Sequence, residues 1–162
     1  MTRKKKKRPA ASVQQWRRVD LHLHTPASAD YQETGVTYLD ILRQAESKGL
    51  EIIAFTDHNT VAGYRAMMEE IEQLELLEQL GRLRNEEAQR LQEYRRLREK
   101  VVVLPGFEFT ATLGFHILGI FPPDADVREL EFILRQLRIP REKLDTGSSE
   151  VGATTDVLTA YR

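Results

Sequence analysis

Between Arg18 and Thr60 the chain repeatedly changes its hydrophobic period, and the order of those periods limits the folds open to it. "RVDLHLH" alternates apolar and polar residues, the period of a strand, and runs into the turn-like "TPASAD". "TYLDILRQAESKGL" then places Leu39, Leu42 and Ala45 at helical spacing and meets Gly49 where a helix should stop. "EIIAFTDHN" is an apolar run, polar only at its C-terminal end, and a further helix is expected from about Thr60. Strand, helix, strand, helix is the signature of parallel strands joined by crossover helices.

The next stretch has a different character. Tyr64 to Lys100 is rich in Glu, Arg, Gln and Leu, with Ile71, Leu74, Leu77 and Leu80 on one helical stripe. Gly81 weakens a helix there, and Asn85 followed by Glu86 and Glu87 resembles a fresh N-cap with acids in the first turn. Leu91, Tyr94 and Leu97 then share a face. A helical hairpin over about 64–100 follows, read as a crossover pair or as a partner-binding arm. "VVVLPGFEFTATLGFHILGIF" returns to strand around a turn at Gly114. Asp126 to Leu137 is expected to be helical, "REKLDTGSSEVG" a loop, and "TTDVLTAYR" the start of another helix with Thr155 or Asp156 near its cap.

A length of 162 residues suits one domain with a core. No run approaches the roughly 20 apolar residues of a membrane span. Residues 1–18 lack the apolar centre of a signal peptide, so the cytoplasm is the expected compartment. Eight of the 24 Lys and Arg residues precede the first acid, Asp20, so the rest of the chain is acidic. Residues 1–17 are read as a basic disordered tail. Its alternative role is nucleic-acid contact through the phosphate backbone, distinguishable by a salt-dependent loss of binding when Met1 to Pro9 is removed.

The chain has no cysteine, so any metal must be held by nitrogen and oxygen. Alternation projects Asp20, His22 and His24 to one side of the first strand and Val19, Leu21 and Leu23 to the other. Alone, His-x-His reads equally as surface or hydrogen-bonded histidine. Asp57 and His58 end the second strand, and sites in parallel sheets lie at C-terminal strand ends. Glu108 stands between Phe107 and Phe109, where a carboxylate needs a cation or donors. His116 lies in the apolar "FHILGIF". All four histidines thus fall in or at the ends of expected strands, three of them with a carboxylate nearby, and none on the polar helices. A polynuclear site of Zn, Mn or Fe is the reading that joins them. A carboxylate such as Glu108 can bridge two ions, and a hydroxide held between ions is a nucleophile at neutral pH.

"DLHLHT", "FTDHNT", "LPGFEFT" and "FHILGIF", in that order, resemble the first motifs of the PHP (polymerase and histidinol phosphatase) superfamily, most closely its stand-alone phosphoesterases. The resemblance implies a distorted (β/α)7-type barrel of parallel strands, incomplete in this chain, with residues 18–162 forming a partial domain interrupted by the hairpin. It implies two or three divalent ions. His22 and His24 match the pair on the first metal, Glu108 the bridging carboxylate and His116 a ligand of the second. His58 and Asp30 match ligands of the third. Asp20 and Asp57 match carboxylates behind the imidazoles that fix ring direction. Together with Glu108 they are the candidate catalytic acids. The family also carries a later histidine and a terminal Asp-x-His, whereas no histidine follows His116. The remainder of the domain, or another chain, is therefore expected to complete the site.

The implied activity is hydrolysis of phosphomonoesters, or of nucleotide and nucleic-acid phosphoesters, of the 5'-3' exonuclease or nucleotide-phosphatase type, through a metal-bound hydroxide. Its partner is a phosphorylated small molecule or a nucleic-acid end. Two alternatives stand beside it. An amidohydrolase also opens with His-x-His, but its metal-bridging lysine has no counterpart here, Lys100 being at the hairpin's end. A non-catalytic metal-binding or nucleic-acid-tethering module accords with the missing later ligands and the basic head.

Overall fold

The computed structural model describes residues 16–144, 146–149 and 152–160. The reading of a disordered basic tail falls mostly on residues 1–15, outside the described residues. β1 (Val19–Leu23), β2 (Ile52–Phe55) and β3 (Val102–Thr110) lie side by side and parallel, and β4 (His116–Ile120) runs antiparallel beside β3. The sheet curls into a half-barrel. The fourth strand departs from the all-parallel expectation for a reason visible in chain length. Only residues 111–115 join β3 to β4, whereas a parallel return needs a crossover of about a dozen residues or more.

α1 (Tyr38–Ser47) carries the chain from β1 to β2. Thr37 starts it with a reciprocal cap. Its hydroxyl accepts the Asp40 backbone N–H at 3.2 Å, and the Asp40 carboxylate accepts the Thr37 N–H at 3.1 Å. The Thr37 hydroxyl, which also donates to that carboxylate at 2.6 Å, and then the Thr37 N–H hold the Asp40 carboxyl below its usual range. The helix stops at Gly49, whose φ of +67° turns the chain into β2.

α2 (Ala62–Gln79) and α3 (Asn85–Arg98) form the hairpin and cross from β2 to β3. The expected N-cap is displaced by one residue. Asn85 is already helical, and Arg84 is the cap, its N–H donating to the Glu87 carboxylate at 2.8 Å. The expected leucine stripe is covered only at its beginning. Ile71 and Leu74 are buried, whereas Leu80 is 57% exposed beyond the reach of the sheet. Leu91, Tyr94 and Leu97 are fully enclosed, as their shared face requires.

Two apolar clusters result. In one, Ile53, Phe55 and Val103 of the sheet pack against Leu42, Met67, Ile71, Leu91, Tyr94 and Leu97. In the other, Phe107 and Phe109 pack with Val61 and with Leu130 and Leu134 of α4 (Val127–Gln136). A short α5 (Val157–Ala160) follows, its first turn closed by Asp156 accepting the Thr159 N–H at 2.9 Å. Among the described residues no helix is long and apolar enough to cross a membrane. With α1–α3 clamping β1–β3 from one side, the polar ends of the strands are left at one rim.

Candidate metal centre

The rim is built by continuing the sheet past its regular strands. The Thr56 N–H donates to the Leu23 carbonyl at 2.8 Å, and the Thr56 hydroxyl accepts the Leu23 N–H at 3.2 Å. Beyond β2, His58 forms a parallel bridge with Glu108. The Glu108 N–H donates to the Asp57 carbonyl at 3.0 Å, and its own carbonyl accepts the Asn59 N–H at 2.7 Å. Backbone pairing thus fixes His58 beside Glu108, and the register of β4 places His116 opposite Thr110, two residues beyond Glu108.

Four imidazoles meet one carboxylate. Glu108, 2% exposed, has its Oε2 at 2.6 Å from His22 Nε2, 3.0 Å from His24 Nε2 and 3.7 Å from His58 Nδ1. Its Oε1 contacts His116 Nδ1. Burial by itself would raise the Glu108 pKa, but the contacts with His116, His22 and His24 outweigh it and bring the group down to about 2. Asp30, in the loop after β1, closes the other side. Both its oxygens lie 3.3 Å from His24 Nδ1, and Oδ2 lies 3.4 Å from His58 Nε2. The ligand atoms fall into three overlapping sets: His22, His24 and Glu108; His24, Asp30 and His58; and His58, Glu108 and His116. Within each set the atoms lie within 4.8 Å of one another.

The two remaining candidate acids act differently from expectation. Asp20 does not reach an imidazole. Its carboxylate accepts the backbone N–H of His22 at 3.2 Å, and it lines a 430 Å³ groove beside α1 with Leu23 and Tyr31. The cause is a register break between Asp20 and Leu23 against β2, which disrupts simple alternation. His22 and His24 contact Glu108, and His24 also lines the groove that Asp20 and Leu23 share. Asp57 also leaves the rings alone. One of its oxygens accepts the Thr25 N–H at 2.6 Å and the Ser28 hydroxyl at 2.9 Å, and the other accepts the Thr25 hydroxyl at 2.8 Å. Burial pushes its pKa up, and these donors oppose the rise. Asp57 therefore pins the loop that carries Asp30, and it touches His58 only indirectly, since the Ser28 oxygen accepts the His58 N–H at 3.2 Å.

Several residues of this support escape sequence reading. Thr25 and Ser28 look like ordinary turn residues in "TPAS". Gly63, in the first turn of α2, leaves room for them. A Cβ there would lie 2.2 Å from Thr25 Oγ1 and 2.3 Å from Asp57 Oδ2. A glycine inside a helical pattern is a signal of close approach, but it does not name the neighbour. Gly147 does the same from the far end of the chain. A Cβ there would meet the Ala27 carbonyl oxygen at 2.2 Å, and its own carbonyl accepts the Ala29 N–H at 2.8 Å. The Asn59 amide donates to the Ser148 carbonyl at 2.9 Å.

These donors fit divalent cations. They are nitrogen and oxygen only, the choice expected for Zn, Mn or Fe. Their spacing approaches that of atoms about 2.0–2.2 Å from one shared ion. His58 Nδ1 is buried without a hydrogen bond among the described residues, an arrangement that is costly unless a ligand engages it. An α/β half-barrel whose strand ends converge imidazoles on a buried carboxylate defines a protein built to hold metal ions at its rim. Residues 20–116 match the PHP domain, a span that contains every candidate ligand, and the chain belongs to that family. No curated protein gives a significant match to the chain.

Proposed function

We propose that this chain supplies the metal-holding rim of a phosphoesterase. It acts on phosphomonoesters, or on the phosphoesters of nucleotides and nucleic-acid ends. The observation that carries the reading is Glu108, a nearly inaccessible carboxylate ringed by His22, His24, His58 and His116. His22, His24 and Glu108 would hold a first ion, Glu108 and His116 would contribute to a second, and Asp30 and His58 to a third. Zn, Mn or Fe bound there would supply charge neutralisation at phosphoryl oxygens and a lowered water pKa.

The chain's own residues then divide the work. Glu108 stays ionised at neutral pH and balances cationic charge in the floor of the site. Asp57, Thr25 and Ser28 hold the loop that presents Asp30. The His22 and His116 side chains are half exposed, 54% and 48%, and stand on the open side through which a phosphoryl group enters. Later strands of a (β/α)7 barrel, from the same domain or another chain, would add further ligands to this set.

The test is Mn-dependent hydrolysis of p-nitrophenyl phosphate by the 162-residue chain. His22→Ala and Glu108→Ala are each expected to abolish it, and unchanged turnover in both removes the reading. A second reading, a metal-stabilised module without turnover, draws on the openness of His22 and His116. Bound Mn without hydrolysis of either a phosphate ester or a nitroanilide selects it. Hydrolysis of the nitroanilide in preference to the ester selects an amidohydrolase.

A further inference from the structure

One side chain in the rim is buried and idle. Thr110, the last residue of β3, is 9% exposed, and its hydroxyl has no hydrogen-bond partner among the described residues. Its backbone carbonyl, by comparison, is used, accepting the Ala153 N–H at 2.6 Å. Thr155 nearby shows the ordinary outcome for a buried threonine, its hydroxyl donating to the Leu137 carbonyl at 2.6 Å. A buried hydroxyl left unpaired is costly, so the position calls for a group that the described residues do not provide.

Register says where that group sits. Residues two apart on a strand share a face, so Thr110 projects with Glu108. Directly opposed residues of an antiparallel pair also share a face, and the partner of Thr110 is His116. His116 in turn touches Glu108. The hydroxyl therefore stands on the face of the carboxylate–imidazole cluster, two residues past Glu108 toward the end of β3. It belongs to none of the three ligand sets. As a neutral donor it suits an anionic oxygen, to which such bonds are short and strong.

We propose that Thr110 is a substrate-binding residue whose hydroxyl donates to a phosphoryl oxygen held at the metal cluster; the proposal rests on the phosphoesterase reading. The affinity of the Mn-loaded 162-residue chain for inorganic phosphate tests it, with bound Mn counted on the same sample. Thr110→Val keeps the shape and removes the donor. It is expected to weaken phosphate binding by about tenfold or more, the size of a lost charge-assisted hydrogen bond. Bound Mn should be unchanged, and Thr110→Ser should bind phosphate close to the wild type. Thr110→Ala, with the same expected loss, replaces the valine variant should that fail to fold by circular dichroism.

Wild-type phosphate affinity in the valine variant overturns the role of Thr110 and leaves the phosphoesterase reading standing. Loss of Mn from that variant also overturns it, by showing that the hydroxyl serves the metal set. A wild-type chain that holds Mn and binds no phosphate removes both.

Discussion

Glu108 and Glu46 are both carboxylates brought down to a pKa of about 2, and they have little else in common. Glu46, on α1, receives Arg96 of α3 through two 2.7 Å hydrogen bonds and Lys100 through another, all on the protein surface. Arg96 also reaches Glu93, and Arg95 pairs with Glu78 across the hairpin. Water screens these pairs, so each adds little to stability. Glu108 is shielded from water, and its partners come from both strands and loops. In such a place the cost of desolvation is large, and taking away one partner leaves charge uncompensated. The hairpin is held by its enclosed Leu91, Tyr94 and Leu97, and its charges decorate it. The rim is held by polar groups that need one another.

Substitution can separate the two regions. The largest effect expected on stability alone is in the hairpin core. Leu97→Ala should cost about 2–5 kcal/mol, read by denaturant unfolding, because Leu97 is fully buried. If the regions are independent, the Mn stoichiometry of the folded fraction should not change. A parallel loss of metal would show that the hairpin positions the rim.

Gly63→Ala sharpens the contrast from the other direction. The added methyl group collides with Thr25 and Asp57, so about 1–3 kcal/mol of destabilisation is expected. Here metal affinity should fall too, by roughly the 10–100-fold typical of groups supporting a ligand shell, since the loop bearing Asp30 must shift. Destabilisation with wild-type metal affinity would separate the Asp57 network from the site.

The smallest effect lies in the surface ion pairs. The Glu46 carboxyl, lowered from 4.5 to about 2, contributes stability that is present above pH 4.5 and is lost as pH falls toward 2. The melting temperature of metal-free Arg96→Ala should therefore lie slightly below that of the wild type at neutral pH, and the gap should close across that acid window. A gap that stays constant down to pH 2 would mean that Arg96 acts by packing its stem.

The sequence by itself determined the alternation of strand and helix, the parallel order of β1–β3 and the hairpin. It did so because these depend on period, helix stops and chain length, all local quantities. It also singled out His22, His24, His58, Glu108 and His116, since imidazoles and a carboxylate at the ends of apolar strands are costly to bury unless they meet an ion or one another. Tertiary structure decided what period alone cannot carry. A register break left Asp20 bonded to the His22 backbone rather than to a ring, and burial committed Asp57 to Thr25 and Ser28. The missing side chain of Gly63 made space for that network, and cross-strand register set Thr110 against His116. Each of these depends on which distant residue arrives alongside, and strand pairing fixes that only when the whole sheet has formed.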